Sequence, residues 1–300
     1  MTRHSAFFVV NPRAGGGRTG RFWPELRSEL TRLGVAVHDS ETSERGEAAE
    51  LARRAASDGY ELVVAVGGDG TVNEVVNGLV NQDGASLAAL GCLFTGRGCD
   101  GVRNFGLPRD LREACRRLLE GEDKRVDLGL VRWGRGGERY FIGSAGAGFD
   151  AAVAQKAQVG KVGGILSYLP ALITTLLTYR NQRMTVEADG RTLFDGLAAA
   201  VVIANGAYFG GGMKIAPGAT LNDGRLDLVV LGDLGAIEII CWTPSVYWGG
   251  HVRNPKIRIH QVESVRLSGV APMPCHLDGE VSGETPLSVR VLPGALRLRC

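Results

Sequence analysis

The chain has 300 residues, 44% of them hydrophobic, and a formal net charge of +2. This length and apolar content suit two folded domains, and the near-balanced charge without a long basic run argues against nucleic acid as a partner. Six scattered cysteines, with no CxxC pair, predict reduced thiols in a cytosolic protein. The N-terminus shows no signal-peptide pattern, and the most apolar stretch, 165–177, is too short to span a bilayer.

The first 125 residues alternate between short apolar runs and amphipathic stretches. The pattern predicts strand 7–10, helix 22–33, strand 35–38, helix 46–57, strand 62–66, helix 72–80, strand 87–93 and helix 111–120. Such alternation is typical of a doubly wound parallel sheet, in which ligands bind at the carboxyl ends of the strands. We therefore predict an α/β domain over residues 1–125, with the loops at Asn11, Gly67 and Gly96 at that edge.

The most informative loop follows the strand predicted at 62–66. It consists of Gly67, Gly68, Asp69, Gly70 and Thr71. Glycines let a backbone approach a ligand closely, and a helix beginning at Thr71, with Glu74 completing a capping box, would point unpaired N–H groups at the same place. The loop is therefore a candidate phosphate-binding loop, although its composition also suits a plain tight connection. A carboxylate beside phosphates is repelled unless it serves a metal or a proton transfer, so Asp69 is a candidate for one of those roles.

From about residue 126 the pattern changes to short apolar or alternating runs. Strands are predicted at 184–188, 197–203, 226–231, 256–260, 264–267, 287–292 and 296–298, with turns at Asp189-Gly190, Asp195-Gly196 and Pro293-Gly294. Helices are predicted near 165–179 and 236–247, and we expect Trp242, Tyr247 and Trp248 to pack in the core. The pattern predicts a mainly antiparallel β-domain over residues 126–300, whose last strand could return to the first domain.

Several motifs, in the right order along the chain, resemble those of the diacylglycerol kinase catalytic-domain family, which is related to sphingosine kinases and more distantly to NAD kinases. The loop 67–71 resembles the GGDGT signature, 8–18 the NPxxG opening, 96–108 the GTxNDFARxLGLP segment, 205–217 a glycine-rich stretch, 222–227 the DGxLD element and 277–280 the LDGE element. The resemblance implies a nucleotide-binding α/β domain followed by a β-sandwich lipid-kinase domain, with the active site in the cleft between them.

The segment 96–108 departs from the family pattern at three positions. Arg97 stands where Thr is usual, Cys99 where Asn is usual and Gly101 where Phe is usual. A hydroxyl and an amide are lost there, while Arg97 adds a charge that could pair with phosphate. The sequence leaves open whether this loop still supports catalysis.

The resemblance also implies catalytic residues. Asp278 would be the base that takes the proton of the acceptor hydroxyl, with Asp69 as the rival for that role, and Glu280 would support the metal or the nucleotide. Asp-Gly pairs recur along this chain, so Asp278 taken alone would be a turn residue. Its neighbour His276 could shape the acceptor pocket or could simply be a structural histidine.

The binding residues are implied in the same way. Mg²⁺–ATP would be bound by residues that match the family's nucleotide site: Asn11, Arg13, Gly15, Thr42, Gly67, Gly68, Asp69, Gly70, Thr71, Gly96, Arg97 and Asp127. Asp100 and Arg103 would contact the acceptor. A structural Mg²⁺ would be bound by the Asp223 carboxylate with backbone carbonyls near Thr220 and Arg225.

The implied activity is ATP-dependent transfer of the γ-phosphate to the hydroxyl of diacylglycerol or a related lipid. The protein would be cytoplasmic and peripheral to the inner face of the membrane, and a homodimer is compatible with the sequence. The stretch 165–177 predicts either a core helix or one that touches the membrane surface. Two alternatives stay open: an NAD-kinase-like phosphotransferase, and a non-catalytic homologue that binds lipid or nucleotide.

Overall fold

A computed structural model describes residues 5–81, 83–96, 98–134, 136–159, 174–176 and 178–300. The chain forms two compact units, one from the described residues up to Asp127 together with Gly294–Cys300, and the other from Leu128–Pro293. Arg97 and most of the apolar stretch 165–177 lie outside the described residues. Within the described ranges, every helix is too short or too polar to cross a bilayer.

The first unit is built on a parallel sheet with helices between its strands. Its elements are β1 (Ser5–Val10), α1 (Ala14–Arg32), β2 (Ala36–Glu41), α2 (Glu47–Ser57), β3 (Leu62–Gly67), α3 (Asp69–Leu79), β4 (Ala89–Phe94), α4 (Asp100–Phe105) and α5 (Leu111–Glu120). The strand order is β2-β1-β3-β4, and beyond β4 the sheet continues with the last strand of the chain, where Leu298 pairs with Leu90. All of these strand pairs are parallel.

Both faces of this sheet are covered. On one face, Phe8 and Val64 pack with Trp23 and Leu30 of α1 and with Leu118 of α5. On the other face, α2 contacts β1 and β3, and α3 contacts β3 and β4. All six residues of β3 are buried, as expected for a parallel strand between two helical layers. The doubly wound arrangement predicted from the alternating pattern is confirmed.

The second unit contains the remaining elements. They are β5 (Asp123–Trp133), β6 (Gly137–Phe141), β7 (Ser144–Gly148), α6 (Phe149–Val159), β8 (Gln182–Ala188), β9 (Arg191–Ala198), β10 (Ala200–Ala204), β11 (Leu226–Leu231), α7 (Ala236–Val246), a 3₁₀ helix (Gly250–Arg253), β12 (Ile257–Val262), β13 (Ser264–Gly269), β14 (Pro274–Leu277), β15 (Glu280–Glu284) and β16 (Leu287–Arg299). The first residues of β5 and the last residues of β16 belong to the first unit.

Two antiparallel sheets enclose the core of this unit. One has the order β12-β11-β10-β7-β14-β15, and the other contains β16, β13, β8 and β9 in that order. Ile203 and Leu228 of the first sheet share a core with Met184 and Leu267 of the second. On its outer face, the six-stranded sheet is covered by α7. The predicted β-sandwich is confirmed.

Some local predictions were wrong. No capping box forms at Thr71, because α3 begins at Asp69 with Gly68 as its N-cap, and Thr71 is buried in the first turn. Pro293-Gly294 is not a turn but part of the continuous strand β16. The pair Asp195-Gly196 lies inside β9, where it is opposite residues 185 and 184 of β8.

Two further predictions in the second unit were wrong. The single strand predicted at 197–203 is divided between β9 and β10 at Ala199, whose N–H donates to the carbonyl groups of Leu231 and Gly232. Tyr247 and Trp248 are not in the core, since they are 54% and 68% exposed. An apolar composition alone does not tell which face of a helix end meets the sheet.

Candidate functional site

The absence of a side chain has a different effect at each of the first two glycines of the loop after β3. A Cβ atom on Gly67 would lie 2.5 Å from Thr71 Oγ1, so only glycine allows the Thr71 hydroxyl to fold back against the end of the strand. At Gly68, by contrast, a Cβ atom would meet no described atom within 4 Å. The first turn of α3 therefore presents its N–H groups at an open position, as a phosphate-binding loop requires.

Asn11 joins the loop after β1 to this loop. Its Nδ2 donates to Thr71 Oγ1 at 3.0 Å, while its Oδ1 accepts from the backbone N–H of Arg13 at 3.1 Å. Its own N–H donates to the Val66 carbonyl at 3.0 Å. Thr42 is buried nearby at the end of β2, and its N–H donates to the Val10 carbonyl at 2.8 Å. The structure thus brings together the polar residues that end three adjacent strands.

The loop after β4 closes on the same place. Gly15 has a φ of 63°, and a Cβ atom there would lie 3.0 Å from the Thr95 carbonyl oxygen and 3.5 Å from Gly96 Cα. A Cβ atom on Gly96 would in turn lie 3.4 Å from Gly68 Cα. Glycine at these positions therefore lets the loops after β1, β3 and β4 approach one another at the carboxyl edge of the sheet.

Asp69 links the loop after β3 to α4. Its carboxylate accepts hydrogen bonds from the backbone N–H groups of Asp100 at 3.2 Å and Gly101 at 2.9 Å. Asp100 also forms an ion pair with Arg103, 3.5 Å between Oδ1 and Nη1. Asp69 and Asp100, predicted in different roles, are thus direct neighbours.

Two departures from the family pattern have a structural explanation. The space that a side chain at Gly101 would need is filled by Phe94, because a Cβ atom there would lie 2.3 Å from Phe94 Cζ. Cys99 is buried, and burial together with the charge of Asp69 raises the pKa of its thiol to about 12. It is therefore a neutral buried thiol and not an exposed nucleophile. The third departure, Arg97, lies outside the described residues.

Asp127 is the last residue of the N-terminal part of the first unit. Its side chain is buried, and its Oδ1 accepts from the N–H of Gly294 at 2.7 Å. A buried carboxylate needs such partners, because burial without them costs several kcal/mol. Its predicted role toward the nucleotide stays a prediction.

In the second unit, Asp278 follows β14 in a strained backbone conformation, with a φ of 47°. Its Oδ1 accepts from the N–H groups of Gly143 at 2.8 Å and Ser144 at 2.9 Å, and its Oδ2 accepts from that of Ile142 at 3.1 Å. A Cβ atom on Gly143 would lie 2.9 Å from Oδ1. The carboxylate is therefore oriented by the backbone that leads into β7.

A second Asp-Gly turn in the same unit, Asp189-Gly190, has a similar backbone conformation and similar hydrogen bonds. Asp189 has a φ of 48°, and its carboxylate accepts from the N–H groups of Glu263 and Ser264. The backbone contacts of Asp278 therefore do not by themselves identify a catalytic residue. Its surroundings are what distinguish it from Asp189.

Those surroundings include Asp150 and Arg139, two residues that the sequence analysis did not single out. His276 Nε2 lies 2.8 Å from Asp150 Oδ2, the imidazole is 97% buried, and the ring stacks on Phe209. Glu280 pairs with Arg139, 3.1 Å between Oε2 and Nη2. Asp150 lies inside the segment 141–153, which is rich in glycine and alanine, and that composition was the available signal. The charge of Glu280, predicted to support metal or nucleotide, is already matched by a guanidinium.

The predicted structural metal site is a surface turn before β11. Asp223 is exposed, and its carboxylate accepts from Arg225 N–H at 3.0 Å and from Gln261 Nε2 at 3.3 Å. Burial, and then the charge of Asp223, raises the pKa of neighbouring Asp227 to about 6. A carboxylate oxygen such as that of Asp223 is the donor type that Mg²⁺ prefers. Across the described residues, however, no three His, Cys, Asp or Glu side chains gather as a metal cluster.

The two units match two family models. Residues 5–131 match the diacylglycerol kinase catalytic domain, and residues 143–300 match the YegS C-terminal NAD kinase beta sandwich-like domain. Together these models account for nearly the whole chain. The loops after β1, β3 and β4 lie within the residues matched by the first model, and Asp278 lies within those matched by the second.

Proteins named diacylglycerol kinase resemble the chain over most of its length. It is 29% identical over 288 residues to a diacylglycerol kinase of Bacillus subtilis (strain 168), covering 94% of this chain and 91% of that protein. It is 28% identical over 286 residues to a diacylglycerol kinase of Staphylococcus carnosus (strain TM300), covering 95% and 91%.

Solved structures show the same fold. A diacylglycerol kinase structure from Bacillus anthracis superposes with a TM-score of 0.77 at 22% identity, covering 100% of this chain and 97% of the other. An NAD kinase from Archaeoglobus fulgidus in complex with ATP superposes with a TM-score of 0.52 at 11% identity, covering 99% and 93%. Because the two family models together account for nearly the whole chain, it belongs to the family in which a diacylglycerol kinase catalytic domain is followed by a YegS C-terminal NAD kinase beta sandwich-like domain, and by that membership it is a kinase.

Proposed function

We propose that the protein transfers the γ-phosphoryl group of ATP to the hydroxyl of diacylglycerol or a related lipid. The observation that carries this proposal is the meeting of three loops in the first unit, where Asn11 binds Thr71 and glycines allow close backbone approach. Such a cradle suits nucleotide phosphates. The relatives named diacylglycerol kinase support a lipid as the acceptor.

In the proposed reaction, the acceptor hydroxyl oxygen forms a bond to the γ-phosphorus while the bond from that phosphorus to the ADP oxygen breaks. The hydroxyl proton passes to a carboxylate, for which we propose Asp278. Its oxygens are held by three backbone N–H groups, so the carboxylate need not reorient when the acceptor arrives. Glu280 would act through its pair with Arg139.

The remaining residues would bind and orient the nucleotide and the acceptor. We propose that the phosphates contact the first turn of α3 and the loop that contains Asn11, Arg13 and Gly15. Asp69 is the rival base, but its carboxylate holds the start of α4, which favours a positioning role. Asp100 and Arg103 would face the acceptor.

Magnesium is proposed in two places. Bound with ATP near Asp69 and Asp127, it would spread the negative charge of the transferred phosphoryl group. The carboxylate of Asp223, with backbone carbonyls near Thr220 and Arg225, would hold a structural ion. Both assignments follow the donor chemistry of the residues.

The experiment is transfer of labelled γ-phosphate from Mg²⁺–ATP into lipids presented in mixed micelles. The panel contains diacylglycerol, monoacylglycerol, sphingosine, ceramide and phosphatidylglycerol, with NAD as the soluble acceptor. We expect label in diacylglycerol or a related glycerolipid. Label in NAD alone would place the protein with the NAD kinases, and no label despite ATP binding would make it a non-catalytic homologue.

Asp278→Asn is tested beside a matched control. Asp189→Asn removes the charge from the other Asp-Gly turn, which has the same positive φ and similar backbone contacts. We expect Asp278→Asn to lower the rate by about 10²–10⁴-fold, the usual contribution of general-base catalysis. Asp189→Asn should leave the rate unchanged. Equal rates for Asp278→Asn and the wild type would remove Asp278 from the mechanism.

A further inference from the structure

The helix α7 has apolar side chains on both of its faces. Ile239 and Val246 face the six-stranded sheet and pack against its outer side chains. On the opposite face lies a row with helical spacing that we call the α7 surface: Ile237, Ile240, Cys241, Pro244, Tyr247 and Trp248. Ile237 is 77% exposed and Ile240 is 57% exposed.

Exposed apolar rows of this kind mark a surface that contacts another apolar phase or a partner. A helix that needed only to cover the sheet would carry polar residues on its outer face. Here the segment 239–254 contains no acidic residue at all. The acidic side chain of Glu238, at the other end of the helix, is matched by Lys256, 2.7 Å between Oε2 and Nζ.

The charges at the C-terminal end of the α7 surface are positive. Arg253 is exposed on the 3₁₀ helix that follows, and Val252 beside it is 42% exposed. The backbone N–H of Lys214 donates to the Val246 carbonyl at 3.0 Å, and the half-buried Lys214 has its ammonium 5.8 Å from the centroid of the Tyr208 ring. Aromatic and aliphatic side chains with flanking cations are the composition that binds the interface of an anionic bilayer.

Contacts within the second unit connect this end of α7 to the neighbourhood of Asp278. Lys214 follows Met213, which exchanges two backbone hydrogen bonds with Phe209 at 3.0 Å each. The Phe209 ring stacks on His276 with their centroids 6.3 Å apart, and His276 lies two residues before Asp278. A continuous series of contacts thus connects the C-terminal end of α7 with His276, two residues before the proposed base.

From these observations we infer that the α7 surface docks on an anionic phospholipid bilayer, with Trp248 and Ile240 entering its interface. The inference deepens the proposed function and rests on it, since a lipid acceptor is found in a membrane. It is tested by binding alone, so its outcome does not depend on catalysis. A second copy of the chain is the competing occupant.

The test is co-sedimentation of the full chain with vesicles of phosphatidylcholine, with and without phosphatidylglycerol. The variant Ile240→Ser/Trp248→Ser removes the two side chains proposed to enter the bilayer, and Val270→Ser is the control, because Val270 is 86% exposed outside the α7 surface of the same unit. Burial of a large apolar side chain in the bilayer contributes strongly to the affinity. We therefore expect the double variant to bind anionic vesicles at least about tenfold more weakly than the wild type. The control should bind like the wild type.

Charge is tested separately. Arg253→Glu should weaken binding to vesicles that contain phosphatidylglycerol, whereas Arg191→Glu, an exposed change at the first residue of β9, should not. Circular dichroism checks that each variant is folded, and Trp248→Ser alone serves if the double variant is not. Unchanged vesicle binding by the folded variant would overturn the inference.

Light scattering distinguishes the competing occupant. If the wild type is a dimer and Ile240→Ser/Trp248→Ser is a monomer with full vesicle binding, the α7 surface joins two copies and the inference is wrong. Transfer of phosphate to a dispersed short-chain diacylglycerol reports on the proposed function independently. We expect the double variant to keep that activity, and its absence in the wild type would contradict the kinase proposal without affecting the vesicle result.

Discussion

The carboxylate of Asp69 accepts a hydrogen bond of 2.9 Å from the backbone N–H of Gly101, and a second from that of Asp100. The central residue of the glycine-rich loop after β3 therefore also organises the start of α4. Because of this double position, removing the Asp69 carboxylate is a structural change as well as a chemical one.

Asp69→Asn should lower both stability and activity. The amide keeps one acceptor oxygen but places an NH₂ group against a backbone N–H, so we expect a loss of about 1–3 kcal/mol in the free energy of unfolding. Denaturant unfolding measures this loss, and ATP binding should weaken in parallel. A variant of wild-type stability with abolished transfer would instead support Asp69 as the base.

Gly101→Ala should destabilise the first unit, because the new Cβ would lie 2.3 Å from Phe94 Cζ. Overpacking of this kind costs about 1–3 kcal/mol. We expect the cost to shrink when Phe94→Ala is introduced together with Gly101→Ala. A double-mutant cycle by denaturant unfolding measures the coupling. Strict additivity of the two changes would show that Phe94 is not what excludes a side chain at position 101.

Gly143→Ala should lower the rate of phosphate transfer and leave the fold intact. Its Cβ would lie 2.9 Å from Asp278 Oδ1, so the carboxylate must shift. A displacement of that size can cost on the order of a hundredfold in rate. Gly218→Ala is the matched control, since no described atom lies within 4 Å of its Cβ position. The measurement is the initial rate of each variant in the lipid assay. Equal rates for Gly143→Ala and Gly218→Ala would mean that the position of the Asp278 carboxylate does not affect transfer.

His276→Ala should destabilise the second unit, because it leaves the Asp150 carboxylate without its imidazole partner. We expect a loss of about 1–3 kcal/mol in the free energy of unfolding from the lost hydrogen bond, and the removed ring would add to it. Gly146→Ala should act in the same direction, since its Cβ would lie 2.8 Å from His276 Nε2. Thermal unfolding of both variants checks the expectation. Wild-type stability in both would show that the pair contributes nothing.

The contribution of His251 to stability should decrease on mild acidification, whereas that of Asp227, whose pKa is raised to about 6, changes in the opposite direction. Burial lowers the pKa of this histidine, while its Nε2 donates to the Ile215 carbonyl. Because the folded-state pKa lies below the unfolded value of about 6.5, the unfolded chain binds the proton more readily and the free energy of unfolding falls as pH drops below that value. His251→Gln should show a smaller fall between pH 7.5 and 5.5. An identical pH dependence in both proteins would assign the effect to other groups.

The sequence by itself determined the fold class and most of the first unit. Alternating apolar runs are a local property, so the helix at Leu111–Glu120 and the strand at Leu226–Leu231 were predicted with their observed bounds. The GGDGT loop could be recognised because a phosphate cradle needs particular residue types at adjacent positions. The roles assigned to the candidate residues remain predictions.

Only the tertiary structure decided which residues meet. The contacts Asn11–Thr71, Asp69–Gly101 and His276–Asp150 join residues far apart in sequence, and no local pattern encodes such pairs. The exposure of Trp248 was also beyond sequence reasoning, because an apolar helix end looks the same whether it packs on a sheet or faces outward. The composition of a segment indicates which of its side chains favour burial, whereas tertiary packing decides which apolar surfaces are buried inside the fold.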